Sequence, residues 1–290
     1  MNWRTKRTSL FFTAIALVVI VVVLYFVVFY KQHVSNKISI VLSPHYDDAA
    51  LSLGGLLAKE GKNALVVSFF TDGPDTATTT NWDMRSGLAS STDPEKVRSA
   101  ENETSAAVTG ARIQSLYYRD NQYSHTQSDE DLIVDISKDI QLLLAAYSGY
   151  AHIDVYGPAT FGPGVTHPDH QLLHRAYVNV AKDYPNVEIN FYIYEDFPYV
   201  TRFNKDVVKS LQGYMQDVDG LYLERQQIDL SKRNVTAKLK AIGAYKSQVK
   251  AFASYHTDIL KAADTYTTNR CDKSGEKPCE VVYWLRHFSE

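Results

Sequence analysis

Apolar positions along this chain fall into three patterns. The first is an unbroken block. From Leu10 to Tyr30 there is no charge, and only Thr13, Tyr25 and Tyr30 bring polar atoms. As a helix this block would span about 31 Å, close to the hydrocarbon thickness of a bilayer, so it predicts a transmembrane anchor. It is longer than the apolar core of a signal peptide, and no small-x-small cleavage site follows it. The other two patterns alternate after residue 37. Short β-branched runs predict strands at Ile38–Leu42, Ala64–Phe70, Ile113–Tyr118, His152–Tyr156 and Ile189–Tyr194. Between and after them, amphipathic spacing and capping residues predict helices. These run over Ala49–Lys59, from the Asp93 cap and Pro94 to Gly110, from a Ser128/Asp131 capping box to Tyr147, over Pro168–Lys182, and over Ser231–Ala253. Alternating strands and helices predict an α/β fold with a Rossmann-like, doubly wound, mostly parallel sheet, preceded by one N-terminal transmembrane helix. The organisation expected is a cytoplasmic N-terminus at 1–9, the anchor at 10–30, a tether at 31–37 and a folded domain at 38–290.

Charge adds an orientation. Arg4, Lys6 and Arg7 before the span are denser than Lys31 and Lys37 after it, which predicts a cytoplasmic N-terminus and an exported domain. Cys271 and Cys279 bracket the polar turn "DKSGEKP", spacing that suits a disulfide formed outside the cytoplasm better than a zinc site. A formal charge of −3 with no basic run gives no support to nucleic-acid binding. The polar stretch Thr71–Thr92 is long for a connection and reads as a rim or lid over a site. Sequons stand at Asn102 and Asn234.

Two predicted strand ends carry chemistry. "SPHYDDAALSLGG" leaves the first strand, and "GVTHPDHQLLH" leaves the fourth. His45 and Asp48 are three apart and share a helical face, with Asp47 turned elsewhere; His167 and His170 repeat the spacing. In a sheet ordered 3-2-1-4-5, strands one and four are neighbours at the switch point, where ligands bind beyond the carboxyl ends. His45, Asp48 and one of the two later histidines then make a catalytic zinc site with an open position. Asp47 and the remaining histidine are left for proton transfer and oxyanion stabilisation. His174 reads as a solvated or packing residue, and His152 as a satisfied core histidine on a buried strand.

"PHYDD" and "HPDH" resemble the paired motifs of the PIG-L/LmbE-type zinc-dependent N-acetylglucosaminyl deacetylases. "VRSAENETSAAVTGA", "YYRDNQ", "YEDFPY" and "KLKAIGAYKSQ" are similar to further segments of that family. The resemblance covers nearly all of the chain after the anchor and marks 38–290 as an LmbE-like deacetylase domain. It implies that His45, Asp48 and His170 hold zinc (Zn2+), that Asp47 is the general base, and that His167 is the electrophilic acid oriented by Asp169. It implies that Arg98 and Asp120 hold the sugar. Two departures are Ala49, where many members have Glu, and "PGVT", where some members place a Tyr before the first histidine of the second motif.

The function expected is therefore a membrane-anchored zinc hydrolase that removes the N-acetyl group from an N-acetylglucosamine-type sugar, glycolipid or polysaccharide. The lipid bilayer is its second partner, through the anchor. The alternatives are an amidase for another N-acyl sugar conjugate and a tethered sugar-binding protein without catalysis. Two histidines and a carboxylate also make the facial triad of non-haem iron oxygenases, but the helical spacing here suits zinc better.

Overall fold

The computed structural model describes residues 19–20, 37–74, 76, 78–88, 92–162, 164–184, 188–202, 211, 221–271 and 277–287. Apart from Val19 and Ile20, which are helical, the span predicted at Leu10–Tyr30 lies outside the described residues. Among the described residues, no helix is long and apolar enough to cross a membrane. The chain divides into Met1–Asn36 and Lys37–Glu290, and the sheet belongs wholly to the second unit.

The strands are β1 (Lys37–Ser43), β2 (Ala64–Ser68), β3 (Arg112–Ser115), β4 (His152–Pro158), β5 (Ile189–Tyr194), β6 (Leu221–Asp229) and β7 (Cys279–His287). They form one mixed sheet in the order β3-β2-β1-β4-β5-β7-β6. The first five are parallel in the predicted order. The antiparallel pair β7 and β6, which extends the sheet beyond β5, was not predicted. The helices are α1 (Asp48–Glu60), α2 (Asn81–Ser86), α3 (Thr92–Thr109), α4 (Asp129–Ala146), α5 (Pro168–Asp183), α6 (Lys232–Ala244), α7 (Lys246–Ser254) and α8 (Ile259–Asn269). Side chains alternate along β1. Ile38, Ile40 and Leu42 pack with Ile136 of α4 and Leu173 of α5, while Val41 packs with Leu53, Leu56 and Leu57 of α1. A strand covered on both faces explains why its sequence is a continuous apolar run.

Several expectations are corrected. The predicted helix Ser231–Ala253 is broken at Tyr245 into α6 and α7. The Tyr245 hydroxyl sits 2.7 Å from the Tyr46 carbonyl oxygen and 2.8 Å from Asn102 Oδ1. At the start of α7, the Ser247 N–H donates to Glu101 Oε1 at 2.8 Å. His152 is exposed, because it opens β4 where the strand emerges from the sheet. His174 is buried and packs with its Nδ1 2.7 Å from the Pro158 carbonyl oxygen. Asn102 is buried, so the folded domain does not offer that sequon for modification. Cys271 and Cys279 are joined as a disulfide.

Helix α1 has a break at Leu53 (φ −121°, ψ 22°) that frees amide groups in mid-helix. The Glu280 carboxylate of β7 receives them: the N–H groups of Gly55 and Leu56 each donate to it at 2.8 Å. This is an anion at the N-terminus of a helical segment, set inside a core. Lys238 of α6 neutralises it, with Nζ 2.7 Å from Glu280 Oε1 and 3.0 Å from the Ser52 carbonyl oxygen. The approach is close enough to need glycine: a Cβ on Gly55 would lie 2.4 Å from Leu230 Cδ1, and one on Gly54 would lie 3.3 Å from Lys238 Cα. Removing one member of a buried ion pair strands the other, at a cost of about 3–5 kcal/mol. Glu280→Ala is expected to lose that much stability, read from its denaturant midpoint. A loss below about 1 kcal/mol would show that the pair does not hold α1.

Candidate active site

The turn after β1 is closed by its own side chains. Ser43 Oγ donates to the His45 carbonyl oxygen at 2.6 Å and accepts from the Ala49 N–H at 3.0 Å. The His45 N–H donates to Asp48 Oδ2 at 2.8 Å. On the neighbouring strand β4, paired through Val41 and Tyr156, the chain leads into α5 with His167 as its N-cap and Pro168 in the first turn. The two motifs therefore meet at adjacent strand ends.

Three donor atoms converge there. His45 Nδ1 lies 3.2 Å from Asp48 Oδ2, His170 Nε2 lies 3.2 Å from the same oxygen, and the two nitrogens are 3.3 Å apart. Ligands about 2.0–2.1 Å from a tetrahedral ion stand about 3.3 Å from one another, so this triangle has the size of one face of such a site. Each imidazole has its other nitrogen on a carboxylate: His45 Nε2 is 2.9 Å from Asp169 Oδ2, and His170 Nδ1 is 2.6 Å from Asp196 Oδ2. Such outer carboxylates fix the ring and direct its lone pair at a metal. Other groupings, His45 with His167 and His170, or Asp48 with His170 and Asp196, are within 4.8 Å. Asp196, however, faces the opposite nitrogen of His170, and His167 Nδ1 faces the Asp169 N–H at 3.4 Å.

Asp169 keeps a contact with His167, its N–H facing His167 Nδ1 at 3.4 Å and its Oδ2 lying 3.6 Å from that nitrogen. That oxygen also meets His45 and the Asn121 N–H, the latter at 3.0 Å, while Oδ1 faces His125 Nε2 at 2.7 Å. Asp169 therefore faces His45 and His125 as well as His167.

Electrostatics separates the groups. Burial opposes charge on Asp48, but the imidazoles of His170 and His45 outweigh it and hold Asp48 well below the usual carboxylate range. Burial likewise opposes a charge on His170, yet Asp196 and Asp48 raise it to about 10. His167 goes the other way: burial and the charge on His45 push it down to about 4, so it is a neutral imidazole at pH 7. Burial, then the charge of Asp48, pushes Asp47 up to about 7. Positive charge is favoured at the triangle and not at His167.

The triangle opens into a cavity of about 600 Å³ whose lining includes Asp47, His167, Arg98 and Asp120. Asp47 is the N-cap residue of α1 but its carboxylate caps no amide, so the pair is not there to start the helix. Arg98 is buried, with Nη2 3.1 Å from Asp83 Oδ1 and Nη1 3.6 Å from Asp120 Oδ2. Sequence reasoning missed Asp196, His125, Glu95 and Tyr199. Tyr199 presents its ring edge-on to His170 at 5.1 Å, and Glu95 has a buried Oε2 without a partner in the cavity wall. "YEDFPY" contained Asp196, but nothing local marked it as the partner of His170. The predicted rim, Thr71–Thr92, does border the cavity, through Trp82. It carries the unpredicted helix α2, started by a Thr80/Asp83 capping box.

The sequence profile of the PIG-L family, described as GlcNAc-PI de-N-acetylase, matches residues 40–181. Among solved structures, the A40926 pseudoaglycone deacetylase is similar over 88% of this chain and 100% of its own, with 22% identity and a TM-score of 0.68. The zinc-inhibited form of teicoplanin deacetylase is similar over 88% and 99%, with 20% identity and a TM-score of 0.69. The N,N'-diacetylchitobiose deacetylase from Pyrococcus horikoshii is similar over 86% and 83%, with 17% identity and a TM-score of 0.51. These structural likenesses establish a shared fold. None of the curated proteins matches the chain.

Losing an outer carboxylate lowers metal affinity about 10–100-fold where the imidazole it holds is a ligand. Asp196→Asn is expected to weaken divalent-metal binding by that factor, measured by chelator competition, with the melting curve showing a folded domain. Unchanged affinity would place the metal away from His170.

Proposed function

We propose, on the premise that this chain is a PIG-L/LmbE-type metal-dependent N-deacetylase, that it hydrolyses the acetamido group of an N-acetylglucosamine-type sugar using zinc held by His45, Asp48 and His170. The observation that carries this reading is the triangle of donor atoms, 3.2–3.3 Å on each edge, beside a cavity lined by its His45 and Asp48 together with Asp47 and His167. Zinc bound there supplies Lewis acidity toward the acetyl carbonyl and lowers the pKa of a water to about 7.

The chain's own groups do the rest. Asp47, beside the ligands but using its carboxylate for no cap, removes a proton from the attacking water. The Asp169 N–H faces His167 Nδ1, which leaves Nε2 as the protonated nitrogen. A neutral His167 then donates a hydrogen bond to the carbonyl oxygen as negative charge develops on it. The water oxygen bonds to the acyl carbon, the carbon–nitrogen bond breaks, and the proton taken by Asp47 goes to the departing nitrogen. The products are acetate and a free amino sugar. Arg98 and Asp120 face the sugar hydroxyls, and Glu95 adds an unused acceptor beside them. A protein that only bound sugar would need neither Asp47 nor His167 at these positions.

For location, the reading is a single-pass protein anchored by Leu10–Tyr30, with its N-terminus cytoplasmic and the catalytic domain outside. With Lys37 already in β1, the tether reduces to 31–36, about 20 Å when extended, which keeps the domain near lipid-linked or wall-associated glycans. The Cys271–Cys279 disulfide supports an oxidising compartment.

Two measurements test this. Asp47→Asn is expected to keep its metal while turnover of an N-acetylated sugar falls about 10²–10⁴-fold, and Asp48→Ala to lose the metal. Equal metal loss in both variants would show that the pair is wrongly divided. Protease added to intact cells is expected to digest the domain. Protection until lysis would put the active site in the cytoplasm.

A further inference from the structure

The cavity continues past the groups that do chemistry to a wall of three aromatic rings. Trp82 stacks on Tyr255 with ring centroids 6.2 Å apart and planes inclined by 25°, and it meets Phe252 edge-on at 5.6 Å. All three rings line the cavity. Each is held in place. The Trp82 Nε1–H donates to Gln248 Oε1 at 2.8 Å, and the Arg85 guanidinium lies 4.2 Å from the centre of the Tyr255 ring. Tyr255 is nevertheless 53% exposed, and a large aromatic residue fixed in position at a cavity mouth is open to a ligand.

A chain of polar contacts places the wall relative to the chemistry. His45 Nε2 is 3.8 Å from Asp120 Oδ1, Asp120 Oδ2 is 3.6 Å from Arg98 Nη1, and Arg98 Nη2 is 3.1 Å from Asp83 Oδ1. Asp83 is fully buried and immediately follows Trp82. The rings and the Arg98–Asp120 pair line the same cavity, and Asp83 ties α2, which carries Trp82, to that pair.

The lining also indicates what the wall binds. Among the described residues around the cavity, Leu51 and Pro198 are the aliphatic ones; the others are aromatic, polar or charged. An acyl chain asks for aliphatic surface without polar neighbours. A pyranose has one face of slightly positive C–H groups, which suits the negative face of an aromatic ring, and hydroxyls around its edge, which suit Gln248, Gln122 and Thr257. A cavity of about 600 Å³ exceeds what one acetylated sugar ring fills.

We propose that Trp82 and Tyr255, backed by Phe252, form a stacking subsite for the sugar unit next to the one that is deacetylated. The substrate is then an N-acetylated glycan of at least two rings. This rests on the deacetylase reading above.

The test compares N-acetylglucosamine with triacetylchitotriose on the full-length, metal-loaded protein in detergent. Trp82→Ala and Tyr255→Ala are each expected to lower kcat/KM for the trimer about tenfold more than for the monosaccharide, and Trp82→Phe to restore most of the loss. Tyr255 lies at the surface, so its truncation tests the wall even if Trp82→Ala fails to fold. Equal losses on the two sugars, or a wild-type enzyme with no preference for the trimer, overturn the subsite. Should the wild type release amine from neither sugar, the deacetylase reading fails separately. Calorimetric binding of the trimer to Asp47→Asn then still decides the wall, which requires that Tyr255→Ala in that background weaken binding about tenfold.

Discussion

Everything at the strand ends depends on burying three carboxylates, Asp48, Asp169 and Asp196, in one place. An isolated buried carboxylate is too costly to keep ionised, so each must be paired. The pairing here runs through two imidazoles. His45 bridges Asp169 to the triangle and His170 bridges Asp196 to it, and Asp48 touches both rings. His125 adds a third imidazole, on Asp169, and neutral rings leave the three carboxylates unbalanced, so the pocket favours protons on the imidazoles or a cation between His45, His170 and Asp48. The second solution directs both nitrogen lone pairs and one carboxylate oxygen at a single point, which is a ligand set. Asp47 is in the opposite state. Burial, and then the charge of Asp48, pushes it up to about 7.

Such a cluster needs a rigid frame, and the break in α1 provides it. The first turn of α1 aims Asp48 at His170, while the second segment packs on Lys238 of α6 through Gly54 and on Leu230 and Glu280 through Gly55. At the break itself, Ser52 Oγ accepts the Phe197 N–H at 3.1 Å, which ties the segment carrying Asp196 to the helix carrying Asp48. One residue earlier, Glu195 is gripped by Arg270, by Tyr266 and by the Tyr283 hydroxyl. Asp196 is therefore fixed on both sides by groups that take no part in the chemistry. The unpredicted strand β7 supplies two of the anchors, Glu280 to the break and Tyr283 to Glu195.

What could be read from the chain, and what could not, follows from the range of the interactions. The parallel strands and their order were legible because a strand buried on both faces leaves a β-branched run, and because parallel pairs need intervening helices. His45 and Asp48, and His167 with His170, stood out as pairs because each spacing is local; spacing left open which of the two later histidines joins the first pair, and the family resemblance pointed to His170. Strand β6 was not, since LYLERQQID lies at the sheet edge, largely half-buried, and has no clear hydrophobic period. The break at Tyr245 was invisible because its cause, the Tyr46 carbonyl oxygen and Asn102, lies far away in sequence. Asp196 and His125 were missed for the same reason: each acts on a histidine or carboxylate of another segment. Asp169 is a further case. The family resemblance implied His167 as its partner, and the fold adds His45, nearer at 2.9 Å against 3.6 Å.

Chemistry and selectivity consequently sit on different parts of the fold. The side chains of the triangle come from the turn after β1, from α1 and from α5, segments set against the parallel core, where a change of one methylene disturbs close packing. The aromatic wall comes from α2, inside the long connection after β2, and from the C-terminal end of α7 and the turn beyond it. Those segments border the same cavity without contributing to the parallel sheet, and Tyr255 and Met84 are exposed. Replacing them alters what the cavity holds while leaving the triangle, its two outer carboxylates and the ion pair beneath α1 untouched. The buried contact between Arg98 and Asp83 is the junction of the two halves. A substitution there is expected to change binding and turnover together, because the same guanidinium faces the cavity and fixes the helix that carries Trp82.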